Sequence, residues 1–105
     1  MDNKQALLNL LGLARRARKT VFGEDQLLQA VRQNKIDFLF IASDTGKATA
    51  KKFNDKSKYY HVDTNSMYTK EELSNAIGIK RTMVGINDKG FAKKMVELTN
   101  KIKGE

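Results

Sequence analysis

Five consecutive apolar residues, Phe38-Leu39-Phe40-Ile41-Ala42, constrain the fold of this chain more than any other feature. A strand with one face in water alternates apolar and polar side chains, so an unbroken run of this length calls for cover on both faces. The segment from Ile36 to Ala42 is therefore read as a central strand with helices above and below it.

The flanking sequence supplies those helices. From Asn3 to Arg18, the residues Leu7, Leu8, Leu10, Leu11, Ala14 and Ala17 mark one apolar helix face, with Lys4, Asn9, Arg15 and Arg16 mostly outside it. Thr20-Val21-Phe22 is a brief extended segment. Gly23 then opens a second helix running to about Asn34, in which Glu24 and Asp25 complement the dipole and Leu27, Leu28, Ala30 and Val31 form the buried side. After the central strand, Ser43-Asp44-Thr45-Gly46 is a turn, and Asp44 is expected to cap a short Ala- and Lys-rich helix that fades near Asn54-Asp55. Tyr59 to Val62 is a second strand candidate. Thr69-Lys70-Glu71-Glu72 fits the capping-box pattern and starts a helix through Ile77 that Gly78 stops. Met83 to Ile86 is a further strand, and Phe91, Met95, Leu98 and Ile102 form the stripe of a terminal helix lying on a sheet. Such alternation predicts an α/β protein, a three-layer α/β/α sandwich with a central mixed sheet of about four strands, in one domain spanning residues 1–105.

Composition narrows the function. With 40% hydrophobic and 30% charged residues the chain reads as a globular protein with a modest core. The absence of cysteine excludes disulfides, zinc ribbons and thiol catalysis. The single histidine, His61, cannot build a metal site by itself, and its Tyr-Tyr-His-Val context reads as a partly buried structural position. No run approaches the length of a membrane span and the N-terminus has no signal-peptide pattern, so a cytoplasmic protein without a membrane partner is expected.

The formal net charge of +8 points to a polyanionic partner, because clustered Lys and Arg displace counterions condensed on nucleic acid. The 20 cations fall as four in Arg15 to Lys19, five lysines in Lys47 to Lys58, five in Lys89 to Lys103 and six elsewhere. Only the first group holds several arginines, whose planar fork grips phosphate or a guanine edge through two hydrogen bonds. Three loops, Phe22 to Gln26, Ser43 to Lys47 and Gly78 to Thr82, are expected to meet at one end of the sheet, where ligands of open α/β sheets collect. The last of these combines Gly78, an exposed apolar Ile79, Lys80, Arg81 and Thr82, a mixture suited to RNA with unstacked bases. Asp44-Thr45-Gly46-Lys47 is not a Walker phosphate loop, since Ala42 and Ala48 stand where that motif needs Gly and Ser or Thr. Tyr59, Tyr60 and Tyr68 lack an RNA-recognition-motif sequence and are expected to be sheet and rim residues.

Four segments in order, Leu11-Gly12-Leu13-Ala14-Arg15-Arg16-Ala17, Gly23-Glu24-Asp25-Gln26, Phe38 to Asp44 and Leu73-Ser74-Asn75-Ala76-Ile77-Gly78, resemble the L-seven-Ae / L-thirty-e ribosomal protein superfamily. The Asp-Lys-Gly-Phe-Ala segment from Asp88 to Ala92 is similar to its small bacterial branch, called YlxQ-like. The resemblance implies an α/β/α sandwich that recognises kink-turn RNA, a sharply bent internal loop with tandem sheared G·A pairs. The family helix that reads those pairs begins Gly-x-Asn-Glu-x-x-Lys, and the matching positions here are Gly23, Asp25, Gln26 and Gln29. Asp25 keeps an acceptor but loses the amide donor, Gln26 keeps length without charge, and Gln29 removes a cation that Arg18, Lys19 or Arg32 would replace. Ser74 stands where the family usually has glycine.

The resulting expectation is a monomeric, non-enzymatic binder of structured RNA, a kink-turn or ribosomal RNA, associated with the ribosome or translation factors and needing no cofactor or metal. Its RNA face would comprise Arg18, Lys19, Gly23, Glu24, Asp25, Gln26, Gln29, Arg32, Asp44, Gly78, Ile79, Lys80, Arg81 and Thr82. The alternative is a translation-associated adaptor for protein partners, with the same fold and weakened RNA specificity.

Overall fold

The computed structural model describes residues 2–105. In chain order the elements are α1 (Asn3–Arg16), β1 (Thr20–Val21), α2 (Glu24–Arg32), β2 (Phe38–Ile41), α3 (Lys47–Tyr59), β3 (Asp63–Asn65), α4 (Lys70–Ile77), β4 (Met83–Ile86) and α5 (Lys89–Lys103). The four strands form one sheet in the order β1-β4-β2-β3. β4 runs antiparallel to both β1 and β2, while β3 is parallel to β2, so the sheet is mixed.

The apolar run does what its composition demands. Phe38, Phe40 and Ala42 join Val84 and Ile86 in a core with Leu7, Leu11 and Ala14 of α1, Leu73 and Ile77 of α4, and Ala92, Met95 and Leu98 of α5. Leu39, Ile41 and Met83 point to the opposite face and pack with Leu27 and Val31 of α2 and Phe53 of α3. Successive strand residues thus feed two separate cores, which makes three layers. Gly85 faces the second core at its tightest point, because a β-carbon there would lie 2.5 Å from Leu27 Cδ2 and 2.9 Å from Ile36 Cδ1. The missing side chain lets α2 settle close to the sheet.

Local chemistry fixes the helix ends. Asp2 accepts from Gln5 N at 2.8 Å to start α1, and Asp88 accepts from Phe91 N at 2.8 Å to start α5. Thr69 and Glu72 form the expected reciprocal capping box of α4. Three helices end in Schellman motifs, with backbone bonds from Lys19 N to Ala14 O, Lys35 N to Ala30 O and Val62 N to Ser57 O. The left-handed position of these motifs, usually glycine, is held by Arg18, Asn34 and His61 at φ of 60°, 57° and 59°.

The segment after β2 departs from the sequence reading. α3 extends to Tyr59 because Phe53 and Ser57, one turn apart, are both buried on its inner side. The strand expected at Tyr59 to Val62 is the end of that helix and the following turn, with His61 exposed rather than partly buried. β3 begins at Asp63 instead. It is an edge strand paired on one side only, and its Asp-Thr-Asn sequence carries no apolar signal. Only Asn65 is buried there, and it is satisfied by donating to Thr99 Oγ1 at 3.0 Å and accepting from Met67 N at 3.0 Å. Tyr68 is a core residue rather than a rim residue, with its hydroxyl donating to Lys4 O at 2.8 Å.

Candidate nucleic-acid interface

The chain leaves α1 through a left-handed Arg18 and crosses the sheet edge as β1. It then reaches α2 through Gly23, whose φ of 90° is open to glycine and strained for other residues. No side chain caps α2. Its first N–H groups are therefore left facing outward beside Glu24 and Asp25. α3 begins the same way, at Gly46 and without a side-chain cap.

Asp44 explains the second case. Instead of capping α3, as its position in the sequence led us to expect, its Oδ1 accepts from Lys70 N at 2.8 Å in the first turn of α4. Ser43 N donates to Tyr68 O at 2.8 Å, which pins this turn beside the start of α4 and outcompetes the local cap.

The third loop is anchored from α4. Gly78 ends that helix in the left-handed conformation at φ 77°. The Ser74 hydroxyl, one turn back, accepts from Arg81 N at 3.1 Å and donates to Arg81 O at 3.3 Å. A glycine at position 74 would have neither bond. The Arg81 side chain then reaches the neighbouring end of β1, with its guanidinium carbon 5.6 Å from the centre of the Phe22 ring. Arg15, from the last turn of α1, lies 5.1 Å from the same ring. Both distances suit cation–π contact.

Arg81 also links two adjoining clefts. One, of about 620 Å³, is lined by residues 20–26 and Arg81. A narrower cleft of about 220 Å³ runs between Gly23, Glu24 and Leu27 on one side and Thr45, Gly46, Thr49, Thr82 and Met83 on the other. The three loops expected at one end of the sheet meet here. Thr45 Oγ1 and Arg81 Nε are both buried here without a protein hydrogen-bond partner. Along the outer side of α2, Asp25, Gln26, Gln29 and Arg32 line a shallow continuation with Leu28.

Not every expected residue joins this surface. Arg18, Lys19 and Lys80 are exposed but lie outside the clefts. Asp44 is occupied at α4. Ile79 is not the exposed apolar residue anticipated: it is half-buried and packs on the core formed with α1, α4 and α5. Glu24 lies 3.6 Å from Lys52 Nζ, so one of the two acids at the α2 start is partly neutralised by α3. Among the described residues every ion pair uses lysine, and none of the arginines meets a carboxylate. No group of His, Cys, Asp and Glu that could hold a metal occurs among the described residues, and no helix is long and apolar enough to cross a membrane.

A model of the ribosomal protein L7Ae/L30e/S12e/Gadd45 family matches residues 5–96. The chain belongs to that family. All parts of the surface just described fall within the matched region. One relative, an RNA-binding protein YlxQ from Enterococcus faecium, is 42% identical over 91% of this chain and 93% of its own length. Another, the RNA-binding protein YlxQ of Bacillus subtilis strain 168, is 39% identical over 85% of this chain and 90% of its own length. Both place the chain in the YlxQ-like branch of the family. A protein of unknown function from Bacillus halodurans C superposes with a TM-score of 0.86 at 36% identity, covering 90% of this chain and 96% of that one. A 15.5kD RNA binding protein from Giardia lamblia superposes at 0.81 and 17% identity, covering 97% of this chain and 88% of that one, and so shares the family's fold.

The sequence reading took in the Phe22 to Gln26 loop and the Arg15 to Lys19 cluster as segments but named neither Phe22 nor Arg15 individually as part of this surface, and it missed Thr49. Arg15 belonged to the cationic cluster already singled out. Phe22 gave a weaker signal, a large aromatic flanked within seven residues by the cluster and by a glycine turn.

Proposed function

We propose that this family member is a non-enzymatic, ribosomal-protein-like RNA-binding protein that acts in the cytoplasm as a monomer. It recognises kink-turn or related structured RNA through the start of α2 and the Gly78 to Thr82 loop. The observation that carries this reading is the meeting of three loops around Arg81, with Arg15 and Arg81 unpaired beside the uncapped start of α2. Backbone N–H groups and guanidinium forks are donors for phosphate, and Gln26 and Gln29 on the outer side of α2 are suited to base edges. The names of the two YlxQ relatives support RNA as the ligand class.

The test is a titration against a kink-turn RNA, the same RNA with its G·A pairs disrupted, and a straight duplex, each at two salt concentrations. The kink-turn should bind tightest. Arg81→Ala should reduce the salt slope by about one phosphate, whereas Gln26→Ala should cost about 1–3 kcal/mol with little change in slope. Equal affinity for the kink-turn and the duplex would contradict kink-turn recognition.

Asp25 and Gln29 favour a second reading, since a negative charge and a lost cation at the α2 start weaken RNA reading. In that case the same face docks a translation-associated protein. Partners that survive nuclease treatment in a pull-down would support the adaptor over the RNA binder.

A further inference from the structure

Phe22 stands between the two halves of the surface and touches a cation from each. The residue preceding a helix N-cap commonly packs on the fourth residue of that helix, here Leu27. Phe22 does not follow this pattern. It packs against the core with α1, α4 and α5, whereas Leu27 belongs to the core on the other face of the sheet. The ring is half-buried and keeps an accessible portion at the interface, where it lines the larger cleft with Arg81. Arg15 approaches it to 5.1 Å from α1 and Arg81 to 5.6 Å from the loop before β4.

Two guanidinium groups gathered on one ring repel each other, and among the described residues no carboxylate forms an ion pair with either. The quadrupole of the ring attracts both. Arg81 is further constrained, since its backbone is tied to Ser74 and its Nη1 donates to Lys80 O at 2.9 Å. Long side chains lose rotamer freedom when they bind, and a group already held in place loses less.

We propose that Phe22 is a positioning residue of the RNA site, which holds Arg15 and Arg81 as one preorganised pair of phosphate-binding forks before the RNA arrives. The inference rests on the RNA-binding reading above. It extends that reading by joining α1 to the Gly78 to Thr82 loop through an aromatic ring that itself need not touch RNA.

The test compares Phe22→Leu and Phe22→Met, which keep apolar bulk without a ring, with Phe22→Tyr, which keeps the ring. Binding of a synthetic kink-turn RNA should weaken about three- to tenfold in the ring-free variants, with the salt slope nearly unchanged because both charges remain. Phe22→Tyr should restore wild-type affinity to within about twofold. In the free wild-type protein the side-chain protons of Arg15 and Arg81 should show ring-current shifts that disappear in Phe22→Leu and persist in Phe22→Tyr. Rescue of affinity by Phe22→Tyr and not by Phe22→Met separates the ring's hold on the arginines from apolar packing alone. Unshifted arginine protons in the wild type overturn the proposal even if a variant fails to fold. So does full affinity in the ring-free variants, and if Arg15→Ala and Arg81→Ala still weaken binding, the RNA reading survives. Absence of RNA binding by the wild type overturns both.

Discussion

At the end of the sheet where α2 begins, Arg15 and Arg81 lean on one aromatic ring, Arg18 occupies a left-handed backbone position, and none of the three meets a carboxylate. Along α3 and α5, by contrast, Lys51, Lys52, Lys89 and Lys94 each lie between 2.7 and 3.9 Å from one. Both regions contribute to the net charge of +8, yet they do so differently. Exposed lysine pairs contribute at most about 1 kcal/mol each and leave little field behind them. Unpaired arginines drawn to one place repel one another, and a polyanion relieves that repulsion. Net charge therefore points to a class of partner, while the gathering of arginines beside the clefts points to the face.

Removing equal charge from the two regions should break this symmetry most visibly. The triple change Arg15→Ala, Arg32→Ala and Arg81→Ala should lower RNA affinity about 100-fold or more and flatten the salt slope by about two to three. The triple change Lys93→Ala, Lys101→Ala and Lys103→Ala should cost less than about threefold, because those exposed lysines lie away from the clefts. Equal losses in filter binding at two salt concentrations would erase the distinction.

Gly85→Ala sharpens it from beneath the surface. The added methyl group would meet Leu27 and Ile36, so urea unfolding should show a loss of about 1–3 kcal/mol. Because Leu27 belongs to α2, the folded fraction should also bind RNA more weakly.

Tyr68→Phe is a control far from the arginines. It removes the hydroxyl bond to Lys4 O and should cost about 1 kcal/mol at neutral pH while leaving RNA affinity unchanged. Burial, reinforced by the Glu72 and Asp2 carboxylates, pushes the Tyr68 phenol above its ordinary value. The folded protein therefore holds that proton more tightly than the unfolded chain. This stability is complete below about pH 10, the unfolded value, and is lost as the pH rises beyond it. The gap between wild type and Tyr68→Phe should close in alkali.

The smallest effect is on stability alone. Arg18→Gly relieves a left-handed arginine and should stabilise the protein by about 0.5–1 kcal/mol, while RNA affinity should change by less than about twofold because Arg18 lies outside the clefts. A marked loss of affinity would return Arg18 to the interface.

Much of this architecture was legible because it rests on local or periodic signals. The run Phe38 to Ala42, the Thr69–Glu72 capping box, the stop at Gly78 and the Met83–Ile86 strand each have a signature within a few residues. β3 was missed because an edge strand of Asp-Thr-Asn needs only one partner and no apolar residues, while the neighbouring Tyr59-Tyr60 looks more strand-like and belongs to a helix end. Asp44 misled for a related reason. Sequence proximity favoured α3, but the bond from Ser43 N to Tyr68 O carries the carboxylate to α4. The arginine cluster was visible as charge, whereas its organisation was not. Phe22, Arg15 and Arg81 meet only after β1 pairs with β4 and Ser74 fixes the last loop.

Amide chemical-shift mapping of the labelled protein during titration with a kink-turn RNA tests the central claim most directly. The largest changes should fall on residues 15–29, 45–49 and 78–82, with the outer faces of α3 and α5 nearly unmoved. Dominant shifts along the lysines of those two helices, with the arginine end unchanged, would contradict the account.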